Sequence, residues 1–152
     1  MAEGEKPTWQ TPTWVKEHVE KYLSDPEAAE AWDSSLGGSQ GMLPTLLLTT
    51  KGRRSGEPRH SPLIYQPAGD GFVVIASKGG WPTHPAWYLN LQADPEAEVR
   101  AGKRHLRVEA RTAKGEERAA LWKKMRDAYP PYDNYQTWAK DREIPVVVLE
   151  PI

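Results

Sequence analysis

The chain is 152 residues long, carries a formal net charge of −1 and contains no cysteine. Its length suits one domain around a single core, and the missing thiols exclude disulfides, thiolate metal sites and cysteine nucleophiles. The longest apolar runs, residues 46–48, 72–76 and 146–149, are far too short to span a bilayer, and residues 1–10 lack the apolar stretch of a secretion signal, so a cytoplasmic protein with no transmembrane segment is expected.

In chain order, Trp14, Val15, Val19, Tyr22 and Leu23 recur at near-helical spacing and predict a short amphipathic helix over residues 13–22, stopped by Ser24-Asp25-Pro26. A second helical stretch is expected at 27–32, before a glycine- and serine-rich loop at 34–41. Residues 1–42 therefore read as a helical arm or lid on a single domain spanning 43–152. After Pro44 the pattern becomes β. Residues 45–50 predict a buried strand, 52–58 a turn, 59–65 a second strand, and Gly69-Asp70-Gly71 a turn into a third strand at 72–76. Three successive antiparallel strands are expected. A loop at 78–85 leads to a short helix at 86–92, and 97–100 with 105–112 form a hairpin about Ala101-Gly102-Lys103. Residues 114–128 carry one apolar face and predict a helix that Tyr129-Pro130-Pro131-Tyr132 stops; a final strand covers 144–149. Short antiparallel strands with inserted helices indicate an α+β class and a small barrel, not a parallel βαβ sheet.

Chemistry concentrates in three places. Residues 49–59 hold four cations, three hydroxyls and two glycines opposed by Glu57 alone. Glycines can free backbone N–H groups for an anion and arginines bind phosphate or carboxylate bidentately, although the same composition also suits a solvated hairpin turn. The order of residues is neither a Walker loop nor a dinucleotide fingerprint. Ser77-Lys78-Gly79-Gly80, directly after the third strand, repeats the combination of hydroxyl, cation and glycines. The helix that follows could turn its first amides toward an anion, with Trp87 and Tyr88 as packing residues if it does not. Third, Tyr129, Tyr132 and Tyr135 lie three residues apart beside two prolines. Such phenols stack, donate hydrogen bonds or deliver protons, and equally serve as plain packing. The four histidines lack metal-ligand spacing, so no metal is expected. The basic stretches are short, and Glu109 interrupts the second, which argues against nucleic acid.

The segments LLLTTKGRRSGEPRHSPLIY, VVIASKGG, HPAWYLNL and AYPPYDNYQTW, taken in order, resemble the deazaflavin (F420)-dependent nitroreductase family of actinobacteria, from about Leu43 to Pro151. The resemblance implies a split β-barrel and an enzyme that passes hydride from reduced coenzyme F420 to a small electron-poor acceptor: a quinone, a conjugated enone or lactone, or a nitroaromatic. The phosphate and glutamate tail of that coenzyme would give the cations a ligand. It further implies that Arg53, Arg54, Ser55, Arg59, His60, Ser61, Pro62, Leu63 and Ile64 line the coenzyme's tail and ring channel. Ile75, Ala76, Ser77, Lys78, Ala86, Trp87, Tyr88, Leu89 and Asn90 would complete that site. Tyr132, Tyr129 and Tyr135, with Ser77, would stand on the substrate side, Tyr132 also touching the coenzyme. The chain departs from the family's commonest pattern at His60 and at Trp81-Pro82-Thr83-His84. An FMN-using barrel enzyme and a non-catalytic coenzyme carrier are the competing readings. The N-terminal helix either covers the acceptor or lies against a quinone-bearing membrane; Glu17, Glu20 and Lys21 on its face favour lid or packing.

Overall fold

The computed structural model describes residues 13–33, 42–80, 83–139 and 142–152. The loop expected at 34–41, the Trp14 side chain and Trp81-Pro82 lie outside the described residues. The frame is a curled sheet, antiparallel at every strand pair among the described residues, whose strands run β1 (Ala31–Asp33), β2 (Met42–Lys51), β3 (Pro58–Ile64), β4 (Gln66–Ala68), β5 (Gly71–Ile75), β6 (Glu96–Ala101), β7 (Arg104–Thr112) and β8 (Val146–Pro151) in sequence. In space the order is β1-β2-β6-β7-β8-β5-β4, with β3 paired to β2 off that path.

Alternation along the strands gives the sheet two buried faces. Leu46, Leu48, Phe72, Val74, Val147 and Leu149 point inward, where helix α3 (Ala86–Ala93) plugs the barrel with Trp87, Tyr88 and Leu91. The intervening Val73, Ile75, Val146 and Val148 point outward against α4 (Gly115–Ala128) and α5 (Pro131–Ala139), meeting Met125, Tyr129 and Tyr132. Each large apolar side chain so buried contributes about 1.5–3 kcal/mol. Both faces being covered explains why β5 and β8 read as continuous apolar runs.

Three expectations need correction, and one further helix was not foreseen. The helix expected at 27–32 ends as α2 (Pro26–Glu30), which Asp25 caps through the Ala28 N–H. The chain then becomes β1, with Trp32 opposite Leu43, because the buried Trp32 packs against Tyr129 across the sheet. Of the three strands expected to be successive neighbours, β2 and β3 do pair antiparallel, but β5 pairs with β4 and β8 instead of β3. That arrangement depends on Gly71, where a Cβ would sit 2.1 Å from the Leu149 carbonyl oxygen, so only glycine lets the two strands pair so closely. The Tyr129-Pro130-Pro131 corner stops α4 at Ala128 as expected, but Pro131 then opens a further helix, α5, since proline at a first helical position lacks only an N–H that would have gone unpaired. The last strand starts at Val146, after Pro145, and not at residue 144.

The arm packs on the barrel wall. Helix α1 (Thr13–Ser24) buries Tyr22, whose hydroxyl donates to the Thr45 carbonyl, and His18, whose Nε2–H donates to the Ala29 carbonyl at 2.8 Å. Tyr65 donates to Glu30 at 3.0 Å beside them, and burial with the Glu30 contact pushes its phenol up to about 12. Burial holds His18 below its ordinary pKa of 6.5, reinforced by Lys21 and opposed by the Ala29 hydrogen bond. Between the folded and unfolded values the unfolded chain binds more protons, so this contribution is complete above the unfolded pKa and fades as pH falls through the folded one. We expect the melting temperature to fall on acidification from neutral pH and His18→Gln to flatten that dependence; equal slopes for the two proteins would show that His18 does not couple the arm to protons.

Candidate active site

The turn between β2 and β3 presents Arg53, Arg54, Ser55 and Arg59 to solvent, with His60 next to them on the strand. Its glycines do not serve an anion as expected. Gly52 N–H donates to the Glu57 carbonyl and Gly56 N–H to the Gly52 carbonyl, both at 2.8 Å, so the amides close the turn. Gly56 is needed for its φ of +75°. The Arg53 N–H (3.2 Å) and one guanidinium nitrogen (3.1 Å) both donate to Asn90 Oδ1, while Asn90 Nδ2 donates to Thr50 Oγ1 at 3.1 Å. Asn90 is buried and thus anchors the turn to α3 by three of the four hydrogen bonds a carboxamide can make. Arg54 has no hydrogen bond or ion pair among the described residues, so the turn offers free guanidinium charge and not backbone amides.

From this turn β3 runs about 20 Å to Ile64. Ser61, Pro62, Leu63 and Ile64 are half-buried, and His60 Nδ1 lies 2.9 Å from Thr49 Oγ1. Leu63 joins the inner core and Ile64 the outer one. Ile64 and Ile75 there meet the phenols. Tyr129 and Tyr132 are 3% and 4% exposed, so both phenols sit in the core and not on a rim. Their ring centroids are 4.9 Å apart, and Tyr135 lies 6.2 and 6.1 Å from them. Tyr129 and Tyr135 hold each other, hydroxyl to hydroxyl, at 3.0 Å. The Tyr132 hydroxyl has no such partner among the described residues. Burial raises all three phenol pKa values, first among the causes in each case, which keeps them protonated at neutral pH.

Ser77 and Lys78 sit on the turn beyond β5, both half-buried, above the buried Ile75 and Ala76. Gly80 closes a 3-10 turn over Lys78–Gly80 by donating to the Ser77 carbonyl at 3.0 Å. Gly80 is also spent on structure: with φ +82°, its Cβ position is 2.8 Å from the Tyr135 carbonyl oxygen, so the turn lies directly on α5. Ala86 is exposed and Leu89 half-buried, but Trp87 and Tyr88 point into the barrel, with Tyr88 Oη 2.8 Å from Thr112 Oγ1. The amides of Tyr88 and Leu89 are committed to the Pro85 carbonyl, which removes them from the anion site expected at this helix start.

Arg142 and Gln136 escaped the sequence reading. The Arg142 guanidinium donates to the carbonyls of Ala76 (3.0 Å) and Ser77 (2.7 Å), and Gln136 donates to the Arg142 carbonyl at 2.8 Å. Nothing about a lone arginine in a short connection signals such a role. Two surface grooves, one along α4 and α5 beside Arg118 and Trp122, the other by Asp70 and Arg111, include neither Arg54 nor Ser77 nor the phenols; the candidate site is the ledge formed by β3, whose residues 58–64 are exposed or half-buried.

Comparison with known proteins bears on this ledge. The sequence model of the F420H(2)-dependent quinone reductase family matches residues 18–151. An F420H(2)-dependent quinone reductase of Mycobacterium tuberculosis strain H37Rv is 39% identical over 147 residues, covering 90% of this chain and 95% of that protein. A putative F420H(2)-dependent quinone reductase of the same strain is 38% identical over 75% of this chain and 95% of its own. Among solved structures, an F420-H2 dependent reductase superposes with a TM-score of 0.65 at 44% identity, covering 70% of this chain and 94% of that one. A domain-swapped dimer gives 0.66 at 40% identity over 90% and 97%. The heme storage protein HutZ of Vibrio cholerae, 14% identical over 71% of this chain and 81% of that one with a TM-score of 0.53, shares the fold alone. The α+β split barrel expected from sequence is the fold observed.

Proposed function

The chain belongs to the F420H(2)-dependent quinone reductase family, and from that premise we propose that the β3 ledge holds reduced F420, its anionic tail at the Arg53–Arg54 turn and its ring toward the phenols, beside a quinone acceptor. One observation carries the reading: a single strand joins a turn of free guanidinium charge to a cluster of buried phenols, over about 20 Å. That polarity fits an elongated ligand with an acidic end and a planar end. The bound coenzyme supplies the hydride.

The protein's own contributions are positional and electrostatic. Arg54 pairs with the anionic tail, and Arg53, fixed by Asn90, sets the tail's direction. Half-buried Ile64 presents apolar surface, backed by the core that includes Ile75, and keeps water from the reacting face. A quinone oxygen gains negative charge as its ring is reduced, and Tyr132 Oη holds a proton to donate to it. The Tyr129–Tyr135 pair braces that ring. Ser77 stands beside the acceptor and Lys78 beside the coenzyme. The arm, seated by His18 and Tyr22, acts as packing on the barrel wall. Among the described residues no helix is long and apolar enough to cross a membrane.

Arg54→Ala tests the polarity of the ledge. Loss of one charge-assisted hydrogen bond is expected to weaken F420 binding by about 1.5–3 kcal/mol, roughly ten- to 150-fold in Kd, with turnover at saturating coenzyme nearly unchanged. Unchanged affinity with a lowered rate constant would remove the turn from the tail site.

A further inference from the structure

We propose that Arg142 is a positioning residue that locks His84 into the neutral Nε2–H tautomer while holding the Ser77 turn, so that a fixed imidazole donor stands at the ligand end of the barrel. The proposal rests on the reading of Ser77 and Lys78 as ligand-binding residues. It starts from three contacts that the Arg142 guanidinium makes among the described residues. Two go to the carbonyls of Ala76 and Ser77, and the third joins an Arg142 terminal nitrogen to His84 Nδ1 at 3.0 Å. A guanidinium has only donors and does not deprotonate in proteins. Nδ1 must therefore accept, which excludes both the imidazolium and the Nδ1–H tautomer and leaves the ring proton on Nε2. Nε2 makes no hydrogen bond among the described residues, so its N–H remains to be offered.

The lock is built into the fold at both ends. Arg142 N–H donates to the Ala139 carbonyl at 3.2 Å, and the Gln136 carboxamide spans the segment, donating to the Arg142 carbonyl and accepting from Ile144 N–H at 2.9 Å. Gln136 and Ala139 belong to α5, the helix of Tyr132 and Tyr135, so the element that sets the phenols also sets the arginine that sets the Ser77 turn. His84 is held from its other side by the Tyr88 ring, edge-on at 5.0 Å. The titratable groups around it are Lys78 on the turn, bonded to Thr83 Oγ1 at 3.3 Å, Tyr88 on α3, and Arg142. Burial, then the Arg142 charge, lowers the His84 pKa, and the same two causes lower that of Lys78. The neutral donor persists to lower pH than in a free histidine, so that a third cation beside Lys78 and Arg142 is disfavoured.

Long-range proton–nitrogen correlation spectra of the ligand-free protein from about pH 5 to 8 test this directly, with His84→Gln assigning the signal. The expected result is an Nε2–H His84 with a midpoint below 6.5; an Nδ1–H tautomer, or titration at the ordinary 6.5, overturns the proposal. In Arg142→Lys, whose single ammonium lacks the planar fork that reaches these acceptors through two nitrogens, the midpoint should rise and both tautomers appear. Turnover of a soluble benzoquinone at saturating reduced F420 should fall about tenfold and become dependent on pH near the new midpoint, with far-ultraviolet circular dichroism unchanged. Retention of the wild-type tautomer and pH profile in Arg142→Lys would also overturn it. Lys78→Ala separates this inference from its premise: F420 affinity should fall about tenfold, and if it does not, the ligand reading of the turn fails whatever tautomer His84 holds.

Discussion

Tyr132→Phe is expected to leave F420 affinity within about twofold of wild type and to lower turnover of a quinone about ten- to a thousandfold, the range for losing one preorganised donor. The substitution keeps the ring, and with it the edge contact to Tyr129 and the tilted contact to Trp122. It removes a hydroxyl that, among the described residues, bonds to no protein group, unlike those of Tyr129 and Tyr135, which engage each other. The fold therefore loses little when it goes, and a drop in rate would report on the acceptor. Burial drives the Tyr132 pKa upward, so the phenol remains a donor across the physiological range and the effect should not depend on pH there. Full activity in Tyr132→Phe with a loss of thermal stability in Tyr132→Ala would make it a packing tyrosine.

The second large effect is expected at Gly80. Alanine there meets two independent penalties: a φ of +82° that L-residues resist, and a Cβ 2.8 Å from the carbonyl oxygen and 2.9 Å from the Cα of Tyr135. Because the obstruction is helix backbone, no side chain can turn aside; α5 must lift from the Lys78–Gly80 turn. A loss of about 3–5 kcal/mol follows, roughly 6–20 °C in melting temperature for a domain of this size. Turnover should fall with it, since α5 carries Tyr132 and Tyr135. Gly69→Ala is the control: its φ is +58° but nothing lies within 4 Å of the new Cβ, so backbone strain of about 1–2 kcal/mol is all it should show. Equal losses at the two positions would mean that the contact with α5 contributes nothing.

What the sequence disclosed follows the range of the forces involved. Phe72, Val73, Val74 and Ile75 form a run that any sheet would bury, and the apolar face of α4 repeats over four turns, so both elements were readable locally. Strands β1 and β4 are three residues each, too short to show a period, and exist because Met42–Pro44 and β5 offer them partners. Which strands neighbour one another depends on contacts such as Gly71 against Leu149, which no local pattern encodes. At the site, the residues selected by resemblance fall on the β2–β3 turn, β3, the turn after β5, and helices α3 and α5, and several of the polar groups near them are already engaged within the fold. Gly52, Gly56 and Gly80 looked like amide donors for an anion and are turn-closing and packing residues. Asn90, a coenzyme contact by resemblance, is buried and holds Arg53. Arg142 and Gln136 belong to no motif; their importance comes from residues 76–77, 84, 136 and 142–144 meeting in space.

Titrating the purified protein with oxidised F420 and with FMN, following intrinsic tryptophan fluorescence, tests the assignment of the β3 ledge most directly. F420 should bind in the micromolar range or tighter and FMN at least about tenfold more weakly, a gap of roughly 1.4 kcal/mol. Equal or tighter binding of FMN would contradict the deazaflavin assignment.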